Sequence, residues 1–564
     1  MDKNGKRHQW RSGRNPVAYR QGYKKALKTA VAASCLQLLM SPTAWAFEFD
    51  TGDSDLRMRW DNTVKYSTGF RLKDPSNALT TAAGSNFDDG NRNFKKGLVS
   101  NRADVLSEFD LTYQKFGFRV SGAAWYDTVY NRSNDNNSPG TINQSSAAYN
   151  HFTNDTRDLM GRKGEFLDAF VHGKFDIADK PVSFRLGRHT VLYGETLFFG
   201  GNGISGGQAP VDVIKLLSVP GTQFKELLMP VNQLSAQVQL SPNVTVGGYY
   251  QFEWRANRIP PVGSYLSNAD VIGAGAERLF FGPGVWVDRA NDVKGKSSGQ
   301  GGMQIRFRPD SEFAEFGLYA IRYHAKDFQL TYNVTGNPAN PGSMGSYQMA
   351  YGNNIDAYGA SMSTTVGDAN VAAEVSLRRN APLTSALSYS VPGVNNNSGN
   401  PSYAVGNTAH ANLSMINLLS RSAIWDGGSV LAEVAWNRRL SITKNPDSLD
   451  PGVTRDATAM RVLFAPEYYQ VVSGLDVTVP VGLGYVLSGR SSSSSVFGGG
   501  AEHGGDFSIG AKFDYRKKVI FGINYVKFLG KAGPYQSMDG AGPVQYKQSL
   551  KDRDFISLSM QATF

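Results

Sequence analysis

The chain has 564 residues, including 61 glycines, 26 tyrosines and 31 phenylalanines, and 19% of its residues are charged. The net charge is +10, but residues 1–46 hold nine basic side chains and one acidic one, so the remainder carries only +2. This balance argues against a nucleic-acid-binding protein, and the single cysteine, Cys35, argues against a disulfide framework.

Residues 1–46 have the order of parts that a secretory signal peptide requires. The nine basic side chains lie within residues 1–28, an apolar run covers 29–40, and Ala44-Trp45-Ala46 offers a small-residue cleavage site. The apolar run is shorter than the roughly 20 residues that a membrane-spanning helix needs. We therefore predict export and cleavage after Ala46.

Lipidation of Cys35 is the alternative for this segment. The apolar run continues past Cys35 to Met40 instead of ending before it, which disfavours a lipoprotein signal. With residues 1–46 removed, the mature chain has no thiol for a disulfide, a metal site or a nucleophile.

The first mature segment alternates apolar and polar residues with a period of two. Its even positions are mostly apolar, whereas its odd positions include Arg57, Arg59 and Lys65. One face suits lipid and the other suits water, as in a strand of a transmembrane barrel.

Similar segments recur in pairs, which predicts hairpins. The predicted turns lie near 115, 179–181, 242–243, 309–310, 367–368, 426–427, Pro466 and 516–517. The connections between the pairs are long: 73–101, 131–164, 190–231, 256–300, 326–353, 380–407, 441–454, 489–504 and 529–551. We predict an all-β fold over residues 47–564, a single transmembrane antiparallel up-and-down β-barrel of about 18 strands, with a range of about 16–20. An even number of strands puts both termini in the periplasm.

The C-terminal residues 554–564 end in Phe564, with apolar residues at alternate positions before it. This pattern resembles the signal that the outer-membrane assembly machinery reads. At the other end, strand one begins within about ten residues of the predicted cleavage site, which leaves no room for an N-terminal plug domain. We therefore expect a bacterial outer-membrane location among outer-membrane lipids, and any gate to come from a loop.

Four segments also carry a family resemblance. They are residues 47–52, 59–66, 120–127 and 185–195. They resemble the bacterial outer-membrane family catalogued as domain of unknown function 1302, and the resemblance extends along the mature chain. It implies a role in moving an apolar compound across the envelope, beside a periplasmic lipid-binding-like protein and an inner-membrane RND-type exporter. It supplies no catalytic or binding residues.

Charged residues on the predicted luminal faces are the first candidate site. Arg57, Arg59, Lys65 and Arg71 of strand one would lie beside Asp104, Glu108 and Asp110 of strand two. Opposed charges can orient polar solutes in a pore. The alternative is a ladder of ion pairs that merely solvates the lumen.

The hairpin at 165–189 is the second candidate. A symmetric turn places Asp168 opposite His189 and His172 opposite Arg185 on the luminal face. An Asp and a His in register suggest a barrel-wall hydrolase. No serine motif frames them, so we favour a structural charge ladder and predict no enzyme, no cofactor and no metal site.

The connection at 190–231 is the third candidate because it is unusually apolar for a loop. It contains Phe198, Phe199, Ile214, Leu217 and Phe224. Folding back into the barrel mouth as a gate would bury these residues, and so would a cap packed on neighbouring loops.

These observations favour one function over two rivals. The leading hypothesis is a loop-gated channel for a small hydrophobic or amphipathic compound. The rivals are a surface structural or adhesive protein that acts through its long loops, and the hydrolase.

Overall fold

The computed structural model describes residues 47–49, 52, 55–81, 84–219, 221–309, 314–336, 342–386, 388–537 and 542–564. The predicted signal peptide, 1–46, lies outside them. No helix in these ranges is long and apolar enough to cross a membrane.

Strands dominate the described residues. In chain order they are β1 (Phe47–Phe49), β2 (Leu56–Arg71), β3 (Gly97–Tyr113), β4 (Phe116–Asp127), β5 (Arg162–Ile177), β6 (Lys180–His189), β7 (Val231–Ser241), β8 (Val244–Gln251), β9 (Arg278–Gly282), β10 (Val285–Arg289), β11 (Gln300–Phe307), β12 (Glu315–Tyr323), β13 (Gln329–Asn333), β14 (Ser343–Ala350), β15 (Ile355–Val366), β16 (Ala369–Pro382), β17 (Ser388–Tyr389), β18 (Val405–Leu418), β19 (Gly427–Lys444), β20 (Asp456–Val472), β21 (Leu475–Thr478), β22 (Val481–Ser488), β23 (Gly505–Tyr515), β24 (Val519–Leu529) and β25 (Phe555–Thr563). Short helices in the connections are Asn77–Leu79, Asp89–Arg92, Asn154–Thr156, Arg157–Gly161, Ile204–Gly207, Val213–Ser218, Phe224–Glu226, Pro446–Ser448 and Phe497–Gly499.

The main sheet closes into an antiparallel barrel of 18 strands, which confirms the predicted fold class and strand number. β25 completes the ring by pairing with β2, from Thr63 opposite Thr563 to Arg71 opposite Phe555. β21 and β22 together make one barrel strand, and β1 extends the sheet beside β2. Closure removes every free edge from the ring, which a membrane-spanning sheet requires.

The strands have one apolar face turned outward. In β12, for example, Leu318 is 58% exposed whereas its neighbour Tyr319 is 4% exposed. The same alternation leaves Met303, Val375 and Leu413 on the outside. The outer surface is therefore an apolar belt, and the polar residues of each strand face the interior.

Short turns lie at one rim of the barrel and long connections at the other. Two of the turns have positive φ at both central residues, at Ala178-Asp179 and at Arg516-Lys517, the geometry that a tight hairpin requires. The C-terminus lies at this rim, where Phe564 N donates to Asn62 O. β2 also begins there, since Leu56 is opposite Tyr113.

The predicted turn near Pro466 is wrong. β20 continues through Pro466 to Val472, and its partner is interrupted instead, at Val479-Pro480 between β21 and β22. Pro466 has no N–H to donate, and it lies where the neighbouring strand breaks, so no ladder hydrogen bond is lost. Its carbonyl still accepts from Val479 N at 3.0 Å.

The long connections fold into a structured cap, which the sequence did not predict in detail. We use "the cap" for the described parts of 72–96, 128–161, 252–299, 324–354, 383–404 and 530–554. A five-stranded sheet in the order β17-β13-β14-β10-β9 belongs to it. Two apolar clusters, one around Val271 and Tyr347 and one around Phe94 and Tyr130, bind its segments together.

Candidate functional site

The charged wall formed by β2–β5 is the first part of the interior to consider. The register places Lys65 opposite Asp104 and Arg59 opposite Asp110. Arg59 and Asp104, however, form their closest ion pairs with residues other than these register partners. Arg59 Nε lies 2.7 Å from Asp61 on its own strand, and Asp104 accepts from Arg102 Nε at 2.8 Å. Arg57 lies opposite Thr112, nearer the short-turn rim.

Arg119 of β4 is the cation that organises this wall, and sequence reasoning missed it. It forms ion pairs with Glu108, with Asp110 at 2.6 Å and with Asp168 at 3.4 Å. All four side chains are about a quarter to a third exposed, so they remain in contact with the lumen. We call these four residues the ionic ladder. The polar position of Arg119 between Phe118 and Val120 was the signal that could have identified it.

Arg71, which the sequence placed with the luminal cations, belongs to the cap instead. Its guanidinium is buried, donates to Asn91 O at 3.1 Å and lies 3.2 Å from Asp552. The reason is its position at the last residue of β2, beneath the loops.

The hairpin formed by β5 and β6 places His172 opposite Arg185, and Arg185 lies over the Phe170 ring. His189 does not bond to Asp168. Its Nε2 contacts Ser235 Oγ at 2.8 Å and its Nδ1 contacts Gly187 O at 3.0 Å, whereas Asp168 pairs with Arg119. His189 is also 1% exposed. The Asp–His pair that a hydrolase would use is therefore not assembled.

The described residues of the connection between β6 and β7, 190–219 and 221–230, lie inside the barrel; we call them the inner loop. Glu374 of β16 holds it at two points: one carboxylate oxygen accepts from Glu195 N at 2.8 Å and the other from Ile204 N at 2.6 Å. Glu374 faces inward, because its neighbour Val375 is exposed on the outer belt.

Glu433 of β19 provides a second attachment of the same kind. One of its oxygens accepts from Phe198 N and from Phe199 N, the latter at 2.9 Å, and the other accepts from Asn412 Nδ2 at 2.8 Å. Glu374 and Glu433 are fully buried. Each carboxylate is balanced by backbone N–H groups, which form strong charge-assisted hydrogen bonds.

Asn202 of the inner loop provides a third attachment, to β18 and β19. Its Nδ2 donates to Asn412 Oδ1 at 2.9 Å and to Trp436 O at 3.0 Å, and its Oδ1 contacts His410 Nδ1 at 2.9 Å. Arg378 donates to the carbonyls of Gly201 and Gly203, and Lys326 to that of Gly207. The inner loop is thus fixed to the wall that β15, β16, β18 and β19 form.

The apolar residues of the inner loop serve different purposes. Phe224 is buried against Gly200, where an added Cβ would meet its ring at 2.1 Å, and the Phe199 ring lies 5.9 Å from that of Phe497. Phe198 is also buried, and Leu217 packs against the cap cluster around Phe94. Only Ile214 of the predicted apolar residues lines the remaining space.

That remaining space is a cavity of about 1020 Å³ between the inner loop and the wall of β2–β5 and β20–β25. Charged residues line it on both the wall and the inner loop, namely Lys65, Asp104, Asp168, Asp212, Lys215 and Glu226. Its apolar lining includes Ile214, Val219, Leu227, Leu228, Met229 and Leu463. The cavity therefore offers both charged and apolar contacts.

Arg258 joins the two sides of the cavity. It lies 2.5 Å from Glu165 of β5 and 3.0 Å from Asp212 of the inner loop. Neither Arg258 nor the two anchoring glutamates was identified from the sequence. The inward position of the two glutamates is readable from alternation, whereas Arg258 lies in the connection 252–299, and the partners of all three are far away along the chain.

No curated protein matches this chain. The structure is similar to that of Acinetobacter baumannii OccAB4 (10% identity, TM-score 0.40) and to that of Pseudomonas aeruginosa OpdK with vanillate (10% identity, TM-score 0.40). Each of these alignments covers 90% of this chain and 98% of the other. The outer membrane channel DcaP of Acinetobacter baumannii is similar at 9% identity and a TM-score of 0.36, covering 92% of this chain and 99% of the other.

The family model described as "Protein of unknown function (DUF1302)" matches residues 27–564, almost the entire chain. This match confirms the resemblance noted in the sequence, and the chain belongs to the DUF1302 family.

Proposed function

We propose that this protein is a channel of the bacterial outer membrane that passes a small hydrophobic or amphipathic compound, with the inner loop as its constriction. The observation that carries the proposal is the attachment of the inner loop to one wall of the barrel, which leaves the 1020 Å³ cavity along the opposite wall. A closed barrel with an outward apolar belt suits that membrane.

The lining of the cavity supports an amphipathic solute. Lys65, Asp104 and Asp168 would orient a polar or charged group, and apolar residues such as Ile214, Leu227 and Met229 would contact a hydrocarbon part. A lining that combines polar and apolar contacts is typical of sites that bind and orient a small molecule.

A surface role is the second candidate, and the cap is the observation that favours it. Its sheet and apolar clusters give the long connections a fixed shape that a partner at the cell surface could recognise. This reading makes no use of the cavity.

Planar-bilayer conductance separates the two functions. The refolded mature protein and a variant lacking residues 198–228 should both insert, and the deletion should enlarge the single-channel conductance because it removes material from the lumen. Heat-modifiable gel mobility would verify that both barrels are folded. Folded, inserted barrels that never conduct would overturn the channel and favour the surface role.

The hydrolase hypothesis receives no support, since Asp168 and His189 have separate partners.

We propose further that the C-terminal strand ending in Phe564 is read by the assembly machinery. We also propose, on family resemblance alone, that the channel works with a periplasmic lipid-binding-like protein and an RND-type exporter. Removal of Phe564 should lower the amount of folded barrel in outer-membrane fractions.

A further inference from the structure

Three carboxylates from two distant segments meet inside the cap. Asp88 and Asp89 lie in the connection 72–96, and Asp270 lies in the connection 252–299. Each offers a carboxylate oxygen within 4.8 Å of those of the other two. All three residues are at most 3% exposed. Carboxylates so placed repel one another strongly, because little water is present to screen them.

The hydrogen bonds of this cluster are incomplete. Asp88 accepts from Arg92 with Oδ2, and Asp270 accepts from Asp89 N with Oδ2 at 3.0 Å. The remaining oxygen of each, Asp88 Oδ1 and Asp270 Oδ1, is buried and has no hydrogen-bond partner. A buried acceptor without a partner is costly, and a cation held between the two oxygens would satisfy both.

The charges of the cluster are also unbalanced. Arg92 pairs with Asp88, but within the described residues neither Asp89 nor Asp270 has an ion pair with a basic side chain. Arg553, a buried cation in the same cap, donates to Tyr265 O, Ser267 O and Asn91 Oδ1. The cluster thus favours the gain of positive charge.

The chemistry of the surroundings narrows the choice of cation. The cluster consists of carboxylate oxygens, and its polar neighbours are one side-chain amide and one backbone N–H, both bonded to Asp89. Asn136 of the connection 128–161 donates to Asp89 at 3.3 Å, and Asn143 N lies 3.5 Å from its other oxygen. Hard cations prefer oxygen ligands, and calcium accepts the irregular arrangements that loops provide, whereas magnesium demands a near-octahedral one.

We propose that Asp88, Asp89 and Asp270 bind a calcium ion that ties the cap connections 72–96 and 252–299 together, with 128–161 attached through Asn136. The site stands apart from the cavity and from the proposed transport function. Sequence reasoning did not find it, because Asp270 is separated from Asp88 by most of the cap. Extracellular calcium sites commonly have dissociation constants of about 10⁻⁴–10⁻³ M, so millimolar calcium would fill this one.

The test is calorimetric titration of the EDTA-treated, folded barrel in detergent with CaCl₂. We expect one site in the wild-type protein, unchanged in Asp135→Asn, an exposed carboxylate in the same cap, and at least about tenfold weaker in Asp270→Asn. Absence of calcium binding by the wild-type protein at millimolar concentration overturns the proposal. Equal binding by Asp270→Asn overturns it too, as does equal binding of MgCl₂.

Limited proteolysis of the cap keeps the proposal testable if a variant folds poorly. Calcium should slow cleavage of the wild-type cap, while EDTA should speed it. In EDTA the Asp270→Asn cap should resist cleavage better than the wild-type cap, because one repelling charge is gone. A purely structural role of Asp270 would instead weaken the cap under both conditions, and a wild-type cleavage rate that calcium leaves unchanged would contradict the site.

Discussion

Inward-facing carboxylates have different roles on the two sides of the barrel interior. On the wall of β16 and β19, Glu374 and Glu433 are buried and accept hydrogen bonds from backbone N–H groups of the inner loop. On the wall of β3, Glu108 and Asp110 stay partly exposed and pair with Arg119. An inward carboxylate is therefore either an attachment point or part of a charged surface. The difference depends on whether a loop reaches it.

The contrast is also one of cost. A buried carboxylate without partners is strongly destabilising, so the loop and its two glutamates depend on each other. The partly exposed ladder is solvated and screened, and it contributes little to stability. Substitutions on the two walls should consequently differ in kind: one set should move the loop, and the other should change the selectivity of the lumen.

The largest effect is expected from the double substitution Glu374→Gln and Glu433→Gln. It replaces charge-assisted hydrogen bonds by neutral ones and should weaken the attachment of the inner loop by about 3 kcal/mol. Single-channel conductance should rise and become noisier, and a protease should cut within 190–230. The matched control is Glu108→Gln with Asp110→Asn on the opposite wall. If the control releases the loop equally, the comparison between the walls is wrong.

Asn202→Ala should have the next largest effect. It removes the contacts with Asn412, Trp436 O and His410, and it leaves buried polar groups unpaired at a cost of about 2 kcal/mol. Loop cleavage by a protease should accelerate while the barrel itself melts as before. Asn232→Ala, an exposed position after the loop, serves as control. Unchanged cleavage in Asn202→Ala would count against this anchor.

The free energy of unfolding should also depend on pH through Lys326, a residue that holds the inner loop. Burial lowers the pKa of Lys326, whose Nζ donates to Gly207 O, from 10.5 to about 7. Because the folded pKa lies below the unfolded one, the folded protein binds fewer protons between these values. Stability should therefore rise with pH from about 7 towards about 10, by at most about 1.4 kcal/mol per pH unit.

Thermal unfolding followed by gel mobility at pH 7, 8 and 9 would measure this slope. The substitution Lys326→Met removes the titrating group and should make the dependence of stability on pH weaker. The same slope in Lys326→Met would assign the effect to another group.

The smallest effect on stability is expected on the ladder. Arg119→Met should destabilise the barrel by about 1 kcal/mol at most, since its partners are partly exposed. The lumen should nevertheless become more selective for cations, because Glu108, Asp110 and Asp168 lose their shared counter-charge. Reversal potentials in a salt gradient would measure the shift. Lys65→Met, with no acidic triad around it, should shift the potential less.

The sequence alone was sufficient for the barrel. Alternation in segments such as 56–71 distinguishes a lipid face from a luminal one, and charged or glycine-containing turns mark the hairpins, so the fold class and the 18 strands could be predicted. These signals are local, because every strand by itself must place apolar residues on its lipid-facing side and polar residues on its luminal side. Pro466 misled because a proline usually ends a strand, and only the broken neighbouring strand explains why it is tolerated.

The interior depended on tertiary structure. Periodicity places Glu374, Glu433 and Arg119 on the luminal face, but it does not say which of them meets a loop from a position 170 to 235 residues away. The same is true of Asp270, which joins Asp88 and Asp89 only when the cap folds. Local patterns predict which face of a strand contacts the aqueous lumen. Partner choice across a closed barrel depends on where the connections return, and that is decided only when the whole ring is assembled.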